Sequence, residues 1–143
     1  MRIKEVHRLN RSVFDAVLQL LPQLGSVSEL PTRKHLDETL MSEKTHFFIA
    51  ELDNKEIIGM LTIGTYDIPS GTKAWIEDVV IDESQRGKGF GRDLMLFAID
   101  FARSMGIYKI ELTSRPSRIA ANKLYQKLGF VLRETNVYSI DLK

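Results

Sequence analysis

Residues Val79 to Arg92 read V-V-I-D-E-S-Q-R-G-K-G-F-G-R. An apolar, β-prone run passes into a loop with glycines at 87, 89 and 91, and the loop opens directly into a segment of helical periodicity, Asp93 to Met105. A glycine-rich turn at a helix start exposes backbone N–H groups that have no acceptor inside the helix. Those donors and the positive end of the helix dipole make a site for a phosphate-bearing ligand. Arg86, Lys88 and Arg92 add positive charge beside it. The stretch therefore implies an α/β fold that binds a pyrophosphate-containing molecule at this turn.

Working outward, the helix after the loop carries Leu94, Phe97, Ala98, Phe101, Ala102 and Met105 on one stripe, with Gly106 as its stop. Upstream, Lys73 to Ile81 is an apolar strand interrupted only by Glu77 and Asp78. His46 to Leu52 and Glu56 to Tyr66 read as a hairpin about the turn signal Asp53-Asn54. Ile3 to His7 is a candidate first strand. Ser12 to Leu21 is a helix stopped by Pro22, and Thr32 to Met41 a more polar one. Downstream, Ile107 to Thr113 reads as a fifth strand, and Pro116-Ser117 starts a helix through Leu128 that Gly129 ends. Phe130 to Arg133 and Val137 to Leu142 read as two last strands. The class is α/β, a mixed central sheet flanked by helices, in a single domain over 1–143.

Composition narrows the function classes. The 43% apolar and 27% charged fractions are those of an ordinary globular protein, and the formal charge of +1 offers no electrostatic case for nucleic acid. Cysteine is absent, which removes a cysteine nucleophile and any disulfide framework. His7, His35 and His46 lack metal-ligand spacing, so no metal is expected. No apolar run is long enough to span a membrane, and the expected location is the cytoplasm.

The loop itself discriminates among phosphate binders. The Walker pattern is absent, and the spacing G-x-G-x-G is not the dinucleotide fingerprint G-x-G-x-x-G. What fits is R-x-x-G-x-G, Arg86 to Gly91, followed one helix and one strand later by A-A-N-K-L-Y-Q-K-L-G-F, Ala120 to Phe130. This pair of motifs resembles the GNAT family of N-acetyltransferases, and the resemblance extends from about Glu56 to Leu142.

The resemblance implies a mixed sheet that splays open beside its fourth and fifth strands, with acetyl-CoA lying in the opening. It implies that Arg86, Gly87, Lys88, Gly89, Phe90, Gly91 and Arg92 hold the pyrophosphate through backbone amides. It also implies that Val79, Val80 and Ile81 bond the pantetheine arm, and that Asn122 contacts the pantetheine or pyrophosphate arm. The implied reaction moves an acetyl group from acetyl-CoA, as cosubstrate, to a primary amine by direct attack in a ternary complex. Family members are often dimers, which makes a homodimer the expectation by analogy. An acyl-CoA-binding sensor without turnover, or a generic nucleotide-binding protein, would use the same loop.

Acetyl transfer to an amine sets two proton problems. A lysine-like amine has a pKa of about 10.4, so holding it neutral at pH 7 costs roughly 4–5 kcal/mol. The leaving thiolate also needs a donor. Tyr125 matches the family tyrosine near the CoA sulfur and is the candidate acid or hydrogen-bond donor to that sulfur; the alternative, from the helix face it shares with Ala121, is a core residue. Glu77 is the candidate base, directly or through water. Strand parity puts it with Val79 and Ile81 and puts Asp78, the reserve candidate, on the other face. Arg118 is a further candidate for a phosphate.

The acceptor is less legible. Trp75 to Ile81 and Ile107 to Leu112 are similar to glucosamine-6-phosphate N-acetyltransferases, but Thr113 stands where that subfamily commonly carries an acidic residue. By the family pattern the acceptor pocket draws on Leu20 to Met41, Tyr66 to Lys73 and Arg133 to Tyr138, with Arg33, His35, Lys34, Trp75 and Tyr138 as candidate lining residues.

Overall fold

Alternation in one short strand organises the larger part of the molecule. Phe47 and Ile49 turn to one face of the sheet, Phe48 and Ala50 to the other, and all four are buried. The computed structural model describes residues 1–27 and 29–143, which form two compact units, Met1–Leu112 and Thr113–Lys143.

In the first unit, β1 (Arg2–Glu5), β2 (Thr45–Glu51), β3 (Ile57–Ile68) and β4 (Gly71–Ile81) form an antiparallel sheet in the order β1-β2-β3-β4. Its mixed character enters through one parallel bridge, Trp75 to Glu111. The β2–β3 turn places its left-handed residue at Lys55 (φ 72°), while Asn54 accepts from the Glu56 amide through Oδ1 at 3.0 Å. The Asn therefore closes the turn with its side chain rather than its backbone. Gly59 answers a packing demand: a Cβ there would lie 2.6 Å from Ile81 Cδ1 and 2.9 Å from the Val80 carbonyl oxygen.

Helices cover both faces. α1 (Arg11–Leu20) starts at Asn10, whose Oδ1 accepts from the Val13 amide at 2.9 Å, and buries Val13, Val17 and Leu20. Pro22 ends it but does not end the coiling, because a short 3-10 helix, Leu21–Leu24, keeps Leu21 and Leu24 buried before Gly25 turns left-handed. α2 (Arg33–Met41) is capped by Thr32 and buries only Leu36 and Leu40. These residues pack with Phe47, Ile49, Met60 and Val80 in one cluster. On the opposite face, α3 (Phe90–Ser104) sets Phe97 and Phe101 edge-on against Phe48, at ring separations of 5.2 and 4.8 Å.

Three expected strands are absent as ladders. Ile107 to Thr113 is reduced to the bridge at Glu111, held by Ile76 N to Glu111 O (2.8 Å) and Glu111 N to Ala74 O (3.1 Å). In the second unit, α4 (Ile119–Lys127) forms, but 130–133 and 137–142 pair with no strand among the described residues. There Val131, Leu132, Ile140 and Leu142 are exposed. An alternating pattern marks the face that would be buried against a partner strand and supplies no partner itself. No helix among the described residues is long and apolar enough to cross a membrane.

Candidate active site

β4 changes character at Glu77. Thr62 pairs with Glu77 and Met60 with Val80, so Asp78 and Val79 together oppose Leu61 as a β-bulge. Asp78 sits at φ 51°, a left-handed conformation that Asp tolerates better than most residues. The extra residue overturns the parity reading. Glu77 shares its face with Val80, on the α1 and α2 side, whereas Ile81, paired with Gly59, lies on the α3 side. Val80 is 3% exposed, so its side chain belongs to the core and only its backbone is left for a ligand.

The bulge coincides with the end of the outer pairing. Up to Ile76, β4 is bonded on its outer edge to Glu111; from Glu77 to Ile81 that edge has no strand partner among the described residues. The outer pairing of β4 thus ends where the family resemblance leads one to expect the splay. Glu77 and Asp78 stand at that point, both accessible to solvent. Loss of hydration pushes the Glu77 carboxyl above its ordinary range, and the neighbouring charge of Asp78 adds to this. Partial loss of hydration at its carboxyl raises Asp78 likewise. A raised carboxylate is the better base near neutral pH.

The loop after β4 has the geometry of an anion cradle. Gly87 and Gly89 lie at φ 78° and 85°, and a Cβ at either would project into open space. Gly89 caps α3; Asp93 N is the first amide bonded back, to Gly89 O at 3.1 Å. The amides of Phe90, Gly91 and Arg92 thus come before the first amide that donates within the helix, and have no acceptor in it. Arg86 folds back, its Nε donating to the Ile81 carbonyl at 3.1 Å, and so braces the loop against β4. Lys88 Nζ donates to Gln85 Oε1 at 2.9 Å, and Arg92 is exposed beside Asp93. Open space over two left-handed glycines, free amides and flanking cations fit a pyrophosphate.

The second unit holds the other named residues. Tyr125 is 7% exposed, with Phe130 edge-on at 6.0 Å. Burial raises its phenol above the ordinary value, against a smaller opposing effect of Arg118. Such a phenol stays protonated and is a donor rather than an acid that gives up its proton readily. Asn122 donates through Nδ2 to the Arg115 carbonyl at 2.9 Å, closing the turn before α4. Ser117 is not the cap: α4 starts after Arg118, without a side-chain cap.

The acceptor-side candidates are less concentrated. Arg33 stacks 4.8 Å from the Phe14 ring centre, Lys34 pairs with Glu38 at 3.9 Å, and His35 is exposed on α2. Trp75 is half-buried at the bridge, and Tyr138 is 87% exposed.

Residues 11–130 match the acetyltransferase (GNAT) family model. The chain belongs to this family. Among its relatives, an uncharacterized N-acetyltransferase of Bacillus subtilis, YycN, is 35% identical over 92 residues, 64% of this chain and 58% of that protein. The streptothricin acetyltransferase of Escherichia coli is 29% identical over 94% of this chain and 76% of that one. The chain spans less than two thirds of the length of several curated relatives, a trypanosomal glucosamine 6-phosphate N-acetyltransferase (Trypanosoma brucei brucei, 42% identical over 41% of this chain and 38% of that protein) among them. A metagenomic aminoglycoside acetyltransferase has the same fold, with a TM-score of 0.84 at 21% identity, covering 99% of this chain and 96% of that one.

Within this GNAT chain, sequence reasoning missed the bulge and the bracing role of Arg86. The Glu77-Asp78 pair in an apolar strand was the available signal for the bulge, since Asp is among the few residues at ease with positive φ. Also missed were Gln19 and Gln23, which reach Asp82, just after β4, from α1 and the 3-10 helix.

Proposed function

We propose that this chain, working as a single domain over 1–143, is an acetyl-CoA-dependent N-acetyltransferase that acts on a primary amine by direct attack in a ternary complex. The observation that carries this reading is the conjunction of an unpaired β4 edge with a glycine cradle at the start of α3. Acetyl-CoA would supply an activated acyl group on a good leaving sulfur. In the proposal, the amides of Gly87 to Arg92 hold its pyrophosphate and the β4 backbone at Val79 to Ile81 aligns its amide-bearing arm. Asn122 shapes the turn ahead of α4.

The chain's own groups address the two proton problems. Glu77, with its carboxyl held above the ordinary range, accepts the proton of the incoming ammonium directly or through water. Asp78 keeps that carboxyl high by its charge. Tyr125 donates a hydrogen bond to the departing sulfur without transferring its proton, since an ordinary phenol at about 10 lies above an ordinary thiol at about 8.5 and burial raises the phenol further. The relatives' names cover amines as different as streptothricin and glucosamine 6-phosphate, so the acceptor is proposed only as a primary amine. A homodimer is the proposed assembly, by family analogy.

The test is thiol release from acetyl-CoA across polyamines, amino acids, amino sugars with their 6-phosphates, aminoglycosides and lysine peptides. A hit whose kcat drops about tenfold or more in Tyr125→Phe, with acetyl-CoA affinity kept, supports enzyme and donor role together. Acetyl-CoA binding with no turnover on any amine would favour a sensor.

A further inference from the structure

Asp82 follows β4 directly and caps the turn that begins the glycine loop, and it is a buried carboxylate, 8% exposed. Its Oδ1 accepts from Ser84 N at 2.9 Å and Ser84 Oγ at 2.6 Å. Its Oδ2 accepts from Gln19 Nε2 at 3.0 Å and Gln23 Nε2 at 3.2 Å. Gln23 also grips the next residue, its Oε1 accepting from Glu83 N at 2.9 Å. Ser84 first, then Gln23 and Gln19, hold the Asp82 carboxyl below its ordinary range, so it is ionised and accepts from all of them.

The chemistry at position 23 is specific. One carboxamide presents a donor and an acceptor side by side, here to Asp82 and Glu83 at once. A carboxylate could not donate and an ammonium could not accept. Gln19 and Gln23 are spaced i, i+4, Gln23 Nε2 also reaches the main-chain carbonyl of Gln19 at 3.3 Å, and both side chains meet on Asp82 Oδ2 to form one ledge. That ledge bears on the turn Asp82 to Gln85, immediately ahead of the cradle. On the far side of the turn, Arg86 is tied to Ile81. The loop is therefore clamped on two sides, and the α1-side clamp is made of polar groups that the proposed chemistry does not use.

We infer that Gln19 and Gln23 are positioning residues for the acyl donor: they set the Asp82 to Gln85 turn so that the amides from Gly87 to Arg92 converge on one pyrophosphate. The inference rests on the donor-binding reading of that loop. Hydrogen bonds to phosphate weaken steeply with distance and angle, so a loop free to shift loses donor affinity before it loses its fold.

The test is calorimetric binding of CoA to the full chain between pH 5.5 and 8.5, with thermal melts in parallel. Gln23→Ala removes both ends of the clamp and should weaken CoA binding about tenfold; Gln19→Ala removes one bond and should weaken it about threefold. Gln23→Glu separates positioning from packing. Ionised at pH 8.5, the new carboxyl faces Asp82 and should weaken CoA binding by more than about tenfold. Protonated at acid pH, it again donates to Asp82 and accepts from Glu83, so its affinity relative to wild type at the same pH should return towards one. Referring each value to wild type cancels the titration of Asp82, Glu83, Arg86 and the CoA phosphates. Wild-type affinity in Gln23→Ala, or a Gln23→Glu ratio independent of pH, would overturn the inference. Failure of the wild type to bind CoA is visible without any variant; it would overturn the donor reading itself, and this inference with it.

Discussion

The half of β4 from Gly71 to Ile76 and the half from Glu77 to Ile81 share one antiparallel partner, β3, and differ in what lies on their other edge. The first half is bonded outward to Glu111, and its Ala74 and Ile76 are buried. The second half begins with a bulge, carries two carboxylates above their ordinary range, and has an outer edge without a strand partner among the described residues. A buried strand with an unpaired edge leaves backbone groups that need a partner. The difference teaches that the two halves of one strand have different settings: the closed half is held on both edges, and the open half leads to the glycine cradle on which the proposed donor binding rests.

Substitutions can break that division. The largest effect is expected from Gly89→Val, in the cradle to which the open half leads. Its φ of 85° disfavours any side chain, and the Cβ would stand in the space over the loop. CoA affinity measured by calorimetry should fall at least about 100-fold, roughly 2.7 kcal/mol, with the fold retained by circular dichroism. Ile76→Ala, in the closed half, should do the reverse. Ile76 is 3% exposed, and its truncation should cost about 2–5 kcal/mol in denaturant unfolding while CoA affinity of the folded protein stays within twofold.

Glu77→Gln sharpens the boundary. The base works ionised, so lowering the pH through its raised pKa should switch wild-type activity off, with an acid limb above the ordinary 4.5. The variant should lose about 10- to 100-fold in kcat/KM and lose that limb in the pH–rate profile. The smallest effect is expected from Lys88→Ala. Lys88 is exposed and tied to Gln85, so CoA affinity should drop only about two- to threefold, and less at high salt.

Much of this was legible from local pattern. The helix stripe at Leu94, Ala98 and Ala102 and the glycine cradle follow from periodicity and backbone chemistry that neighbouring residues impose on one another. The bulge was not, because strand parity is a rule for regular pairing and one inserted residue reverses it. It moved Glu77 to the face of Val80. The last two strands failed for a related reason: alternation at Val137 to Leu142 describes a surface and not the neighbour that would pair with it.

Local chemistry along the chain was thus enough for an α/β protein with a glycine cradle at one strand–helix junction, since glycine spacing and apolar period act over a few residues. Packing across the sheet settled which edge of β4 stays open, which face Glu77 occupies and that Gln19 and Gln23 brace a loop some sixty residues away (|i−j| 63 and 59). Such contacts depend on how distant segments meet in space, and no window along the chain encodes them singly.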